Sequence, residues 1–228
     1  MAEVSSSLVV DQLGFAWPTG HSALNHCSFS IPSPGLWMLV GGNGSGKSTL
    51  LRLIAGLLPP SRGRLHCSLK PAVVFQNPDH QLLLPSCGSE IELALPEATP
   101  AELRLARVEQ ALSQVGLAGF RQRPIHSLSG GQKQRLAIAG ALASEAQLLL
   151  LDEPTALLDE QSQREVLQLI RNLCDREEHP ITALWITHRL EELRWCNGAA
   201  LMERGSVGPW RSGETMERQL RPLAGGKG

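Results

Sequence analysis

The chain has 228 residues, room for one large α/β domain and too few for two ordinary domains with a linker. It carries 21 basic and 22 acidic residues, a formal net charge of −1, so the overall balance excludes a broadly basic nucleic-acid-binding protein. No apolar run approaches the ~20 residues that span a bilayer, so any membrane path must come from other chains.

Met1-Ala2-Glu3-Val4 lacks the basic start and apolar run of a secretory leader. Ser7–Leu13 reads as a strand. A turn region follows with Pro18, Thr19 and Gly20, and alternation resumes through Leu24, His26, Ser28, Phe29 and Ile31. Gly14–Pro18 falls in that turn and carries two aromatics. Either can pack in a small β core or stack on an adenine ring, and Trp17 is preferred over Phe15 for stacking. His26-Cys27 and His66-Cys67 are adjacent pairs on strands, so their side chains point to opposite faces, which disfavours metal binding. With Cys87, Cys174 and Cys196 the cysteines are odd in number and include no C-x-x-C pair. They suit free thiols in a reducing compartment.

Leu36–Val40 is a short apolar strand. Gly41-Gly42-Asn43-Gly44-Ser45-Gly46-Lys47-Ser48-Thr49 follows, matching G-x-x-x-x-G-K-[ST], and Leu50–Ala55 continues as a helix that ends near Gly56 before Pro59-Pro60. Strand, glycine loop and helix are the setting of a phosphate-binding loop. Glycines let backbone approach an oxygen-rich ligand, and free N–H groups at the helix start favour negative charge. Lys47 is expected to reach the β- and γ-phosphates, and the Ser48 hydroxyl to take a Mg²⁺ ligand position.

Arg62–Ser68 reads as turn and strand, and Ala72–Phe75 as a buried strand stopping at the turn cluster Gln76-Asn77-Pro78-Asp79. Gln76 thus stands at the carboxyl end of a core strand, where open α/β sheets bind ligands. From about Ser89 to Gln122 a helical subdomain is expected. Within it Pro100-Ala101-Glu102 opens a helix with apolar Leu103, Leu105, Ala106, Val108, Ala111, Leu112 and Val115, closed by Gly116. Leu128-Ser129-Gly130-Gly131-Gln132 then precedes a helix expected from Lys133 to about Ala143, a second candidate anion site.

Leu148–Leu151 is a run of four leucines, a strand buried on both faces. It delivers Asp152 and Glu153 to the edge where the phosphate loop opens. Asp152 suits Mg²⁺ through a water, and Glu153 suits orienting or deprotonating an attacking water. A helix through Glu165, Val166, Leu169, Ile170 and Leu173 follows. Ile181–Thr187 is another core strand, ending at His188 on the same edge. Ala199–Met202 is a last strand, a short helix is expected around Met216–Leu220, and Gly225-Gly226-Lys227-Gly228 reads as a mobile end.

Together these segments resemble the ATPase subunit of an ABC transporter. The resemblance runs from about Leu8 to Gly205: Gly41–Thr49 as Walker A, Gln76 as the Q-loop, Leu128–Gln132 as the LSGGQ signature, Leu148–Glu153 as Walker B, Ala156–Asp159 as the D-loop and His188 as the switch histidine. It implies a P-loop NTPase of the ABC ATPase type. The expected fold is α/β, with a mostly parallel core sheet, an N-terminal antiparallel β subdomain and an inserted helical subdomain. The implied division is residues 1–76 and 144–210 for the nucleotide-binding core, 77–143 for the helical subdomain and 211–228 for a short C-terminal tail. Trp17 matches the adenine-stacking aromatic, usually Tyr in the family.

The family works as a head-to-tail dimer holding two ATP molecules. By that resemblance Ser129, Gly130 and Gly131 would contact the ATP of the opposite subunit, His188 and Gln76 would touch the γ-phosphate region, and Gln76 would join Ser48 and Asp152 around Mg²⁺. Phe75-Gln76-Asn77-Pro78-Asp79-His80-Gln81-Leu82 further resembles energy-coupling factor importers of cobalt, nickel and vitamins. That group implies a homo- or heterodimeric ATPase pair on the cytoplasmic face of the cell membrane, docked on a membrane T-component, with a separate S-component binding substrate. The alternatives are an ABC exporter subunit, a regulator without turnover, or a non-transport ATPase acting on nucleic acid or the ribosome. Only about eighty residues separate Lys47 from Leu128, with no sustained heptads, which disfavours the coiled-coil DNA-repair types.

Overall fold

The computed structural model describes residues 7–32 and 34–224. The readings of Met1–Val4 and of Gly225–Gly228 lie outside the described residues. The chain opens with β1 (Leu8–Ala16), β2 (Ser22–Ile31), β3 (Gly35–Val40), α1 (Lys47–Ile54), β4 (Arg62–Cys67) and β5 (Pro71–Val74). β1 is the middle of a three-stranded antiparallel sheet, order β2-β1-β4. Its buried face is Leu8, Val10 and Leu13. The spacing is odd because Gln12, at φ 48, sits where the register shifts, and the extra residue returns Leu13 to the core.

β1 runs on through Ala16, so Gly14–Ala16 is strand rather than turn, and the turn proper spans Trp17–Gly20. The cause is Phe15. It pairs with Leu24, is 8% exposed and stacks edge-on to Trp17 with centroids 5.0 Å apart, and that burial pulls the segment into the sheet. Cys27 is buried while His26 is exposed, so that pair points to opposite faces. All five cysteines are free, and burial pushes the Cys27 thiol up to about 11 and Cys174 to about 12.

Three helices follow: α2 (Cys87–Ala94), α3 (Ala101–Gln114) and α4 (Gly130–Ala143). The chain then returns through β6 (Leu148–Asp152), α5 (Glu160–Cys174), β7 (Thr182–Ile186), β8 (Gly198–Glu203), β9 (Ser206–Val207) and α6 (Gly213–Ala224). The central sheet has the order β5-β6-β7-β3-β8-β9. All neighbours are parallel except the β8–β9 pair at the edge.

Its strands are apolar on both sides because two cores share them. Leu149 and Leu151 of β6 face the cluster built with α3, α4 and α5, whereas Leu148 and Leu150 face the cluster built with α1 and the antiparallel sheet. Each of the four is 0% exposed. At about 1.5–3 kcal/mol per buried leucine, this strand alone anchors both layers. β7 divides the same way, with Ala183 and Trp185 on one side and Leu184 and Ile186 on the other.

Two helices differ from expectation. α4 starts at Gly130, three residues earlier than expected. Ser129 and Gln132 form a reciprocal capping box, Gln132 N–H donating to Ser129 Oγ at 3.3 Å and Ser129 N–H to Gln132 Oε1 at 3.0 Å. Two satisfied donors outweigh the weak helix propensity of two glycines. α6 spans Gly213–Ala224 rather than Met216–Leu220. Met216 is 1% exposed, so the C-terminal segment is docked on the fold.

Candidate active site

The phosphate loop is shaped by where β3 ends and α1 begins. Gly46 caps α1 at φ 104, and a Cβ there would lie 2.4 Å from the Ala23 carbonyl oxygen. Only glycine fits both restraints. Gly46→Ala is therefore expected to lower Tm by roughly 2–12 °C, given about 1–3 kcal/mol of backbone strain and about 2–4 °C per kcal/mol in a domain of this size. Gly42→Ala is the control, because a Cβ at Gly42 meets nothing within 4 Å. Thermal melts of the two variants check this, and equal melting points would show that the Gly46 backbone relaxes freely.

Lys47 is 7% exposed and folds back over the loop. Its Nζ donates to the Gly41 carbonyl at 2.8 Å, the Gly42 carbonyl at 2.9 Å and Ser45 Oγ at 3.3 Å. Burial lowers its pKa, and the Glu153 and Asp152 carboxylates oppose that shift. A cavity of about 400 Å³ opens above the loop, lined by Trp17, His21, Ala23, Asn43, Gly44, Ser45, Gly46, Lys47, Ser48, Thr49 and Glu153. An ammonium and a helix N-terminus facing one concave space suit a polyphosphate.

The carboxylates arrive from β6. Asp152 Oδ1 accepts from Ser48 Oγ at 3.1 Å. Burial raises the Asp152 pKa; the Ser48 bond opposes the rise and Glu153 adds to it. Ser48 and Asp152 are hard oxygen donors on one spot, the kind of set Mg²⁺ takes when phosphates and waters complete its shell. Glu153 sits at φ 49, a left-handed conformation, and its N–H donates to the Ile186 carbonyl at 3.1 Å. Its Oε2 lies 3.0 Å from His188 Nδ1. The ends of β6 and β7 thus bring Glu153 and His188 together: Glu153 lines the cavity, whereas His188 is exposed beside it and, like Asp152, Gly41 and Gly42, is not part of its lining.

Other expected residues stand elsewhere. Gln76 is exposed just beyond β5 and outside the cavity lining. Its flanks are tied to α4, with Gln134 Nε2 donating to the Phe75 carbonyl at 3.2 Å and Lys133 Nζ bonding Asp79 Oδ1 at 2.6 Å. Leu128 is buried, while Ser129 and Gly130 are exposed at the start of α4, away from the cavity lining. Gly131 packs against α5, where a Cβ would lie 2.5 Å from Ser162 Oγ. Asp159 caps α5, accepting from Ser162 N–H at 2.9 Å and Ser162 Oγ at 2.8 Å, and these bonds lower its pKa. Ser162 therefore joins the Asp159 loop to the signature glycine. Phe15 is core and Trp17 is the aromatic on the cavity. His21 and Ala23 also line the cavity. No sequence signal marks them, because the turn that brings them there is defined by its contacts.

A phosphate loop between a parallel strand and its helix, with paired carboxylates at the end of a sister strand, defines a P-loop nucleoside triphosphatase. The antiparallel subdomain and the helix capped by Ser129-Gly130-Gly131-Gln132 narrow it further. The sequence pattern described as ABC transporter matches residues 24–156, and the chain belongs to that family as an ATPase of its ATP-binding subunit type.

It is 48% identical over 187 residues to ABC transporter I family member 10 of Arabidopsis thaliana, which covers 81% of this chain and 69% of that protein. It is 36% identical over 222 residues to the energy-coupling factor transporter ATP-binding protein EcfA1 of Lactiplantibacillus plantarum, covering 90% and 78%. Among solved structures, cbiO1 of Clostridium perfringens, part of the ABC transporter complex cbiONQ, superposes with a TM-score of 0.85 at 30% identity, covering 96% of this chain and 93% of that one. A dimeric ATP-binding cassette in a post-hydrolysis state with ADP and Pi superposes at 0.76 with 25% identity, covering 90% and 98%.

Proposed function

We propose that this chain is the ATP-hydrolysing subunit of an energy-coupling factor importer, seated on the cytoplasmic face of the cell membrane and powering uptake of a transition-metal ion or a vitamin. The observation that carries the reading is the half-site. Lys47 and Glu153 face the cavity, whereas the exposed Ser129 and Gly130 at the start of α4 stand outside it. A second ATPase subunit, identical or paralogous, completes each site head to tail, and the dimeric post-hydrolysis neighbour supports this.

ATP lies on the phosphate loop with Trp17 stacked on its adenine. Lys47 exchanges its loop carbonyls for phosphate oxygens. Ser48 and Asp152 would hold Mg²⁺, with Gln76, which stands outside the cavity in the nucleotide-free chain, as a further ligand, and the ion would supply neutralisation of phosphate charge. Glu153 orients the attacking water and takes its proton on a carboxylate oxygen, while His188 Nδ1 holds that carboxylate in line. Ser129, Gly130 and Gly131 reach the ATP of the opposite subunit, and the Asp159 loop flanks them.

The importer class is supported by the Phe75–Leu82 segment, by the EcfA1 relative and by the cbiO1 neighbour. Among the described residues no helix is long and apolar enough to cross a membrane. In this reading the T-component forms the membrane part, the S-component binds the substrate, and nucleic acid has no role. Affinity purification of the full chain from mild-detergent extracts of its native cells, followed by mass spectrometry, tests it. Co-purification of a multi-spanning T-type protein with a small membrane protein is expected. Recovery of ribosomal or nucleic-acid-associated proteins alone would remove the transport assignment and leave the ATPase chemistry.

A further inference from the structure

Two loops meet beside the phosphate-loop cavity, through the contact of Glu153 with His188. One leaves β6 as Glu153-Pro154-Thr155, and the other leaves β7 as Thr187-His188-Arg189. Behind both lies Glu192, a carboxylate outside every motif named above and 2% exposed. Its Oε1 accepts from Thr155 Oγ1 at 2.6 Å, and its Oε2 accepts from Trp185 Nε1 at 3.1 Å. Arg189 Nε lies 3.7 Å from Oε1. Thr155 and Trp185 are themselves 1% and 0% exposed.

A buried carboxylate is costly unless it is paired and hydrogen-bonded, and an apolar side chain of similar volume would fill the space without that cost. Packing therefore does not account for a glutamate here. What it grips does: a hydroxyl two residues after Glu153, an indole three residues before His188 and the guanidinium one residue after it. We infer that Glu192 is a positioning residue for ATP hydrolysis, clamping the two loops so that Glu153 and His188 hold their 3.0 Å contact. The inference rests on the reading of Glu153 as the carboxylate that handles the attacking water. Glu153 occupies a strained φ of 49, a conformation that persists only when its surroundings over-determine it. The bond from its own N–H to Ile186 is one restraint, and the Thr155–Glu192 bond two residues on is another.

The test measures steady-state ATP hydrolysis and equilibrium ATP binding in the variants Glu192→Leu, Thr155→Val, their double, Thr155→Ser and Glu153→Gln of this chain. Loosening a reacting geometry by about 1 Å costs on the order of a hundredfold in rate. Glu192→Leu, which can make neither bond, and Thr155→Val should each lower kcat about ten- to hundredfold. ATP affinity should stay within about threefold, because neither side chain faces the cavity. The double variant should be no slower than the slower single, since the Thr155–Glu192 bond is already lost in each. Thr155→Ser, which keeps the hydroxyl, should recover most of the rate lost in Thr155→Val.

Should Glu192→Leu fail to fold, the Thr155 pair still decides. Wild-type kcat in Thr155→Val or a folded Glu192→Leu overturns the clamp, as does a Thr155→Ser as slow as Thr155→Val. An arrested Glu153→Gln beside fully active clamp variants removes the clamp alone. A fully active Glu153→Gln removes the site reading and the clamp with it.

Discussion

Lys47→Ala is expected to weaken ATP binding about ten- to hundredfold while leaving the Tm of the nucleotide-free protein within about 3 °C. The ammonium is the one side-chain cation among the residues lining the cavity. A hydrogen bond from a charged group is worth about 1.5–3 kcal/mol, and 1.4 kcal/mol is tenfold in affinity. Without nucleotide, Lys47 bonds the Gly41 and Gly42 carbonyls. Burial already makes the cation unfavourable, as its lowered pKa shows, so the cost of holding it there offsets those bonds. Calorimetric titration with ATP alongside thermal melts measures both quantities. Unchanged affinity would remove Lys47 from the phosphate cradle, and a collapsed Tm would make it a structural lysine.

Glu153→Gln should do the opposite, arresting turnover while nucleotide stays bound. Glutamine matches glutamate in shape, keeps an oxygen for His188 and cannot take a proton from water. A general base contributes about 10²–10⁴-fold, so kcat should fall by that factor with ATP affinity within about threefold. The strained backbone at φ 49 is retained, because the Glu153 N–H bond to Ile186 does not involve the side chain. In the head-to-tail reading, the arrested enzyme also accumulates as an ATP-bound dimer, visible by size exclusion in the presence of ATP. Hydrolysis at the wild-type rate would sink the role of Glu153 and pass the proton to another group.

These two residues illustrate how the site is written in the chain. Glu153 follows β6 directly and Lys47 follows β3 after the glycine loop, so chain position alone carries them to one sheet edge. His188 follows by the same rule from β7. Gln76 obeys it only in part. It does follow β5, yet its side chain is exposed and its flanks are held to α4 by Gln134 and Lys133, contacts across more than fifty residues of sequence. The start of α4 differs from the expected Lys133 for a local reason. Two glycines argue against a helix, and the capping box that overrides them depends on side-chain geometry rather than composition. Gly14–Ala16 is strand rather than the expected turn because Phe15 finds a partner on β2, and β-propensity is decided by such cross-strand packing.

By itself the residue string determined the α/β class, the phosphate loop, the carboxylate pair at the end of β6 and membership of the ABC ATPases. These depend on short-range patterns: glycine spacing, four leucines before two acids, a serine before a helix. The tertiary structure alone decided which aromatic lines the cavity, which anion site stands away from Lys47, that Ser162 joins Asp159 to Gly131, and that a buried Glu192 ties two loops together. Those facts are distances and burials between segments far apart in the chain, and packing sets them, since a side chain's periodicity says which face it takes and not what it meets there.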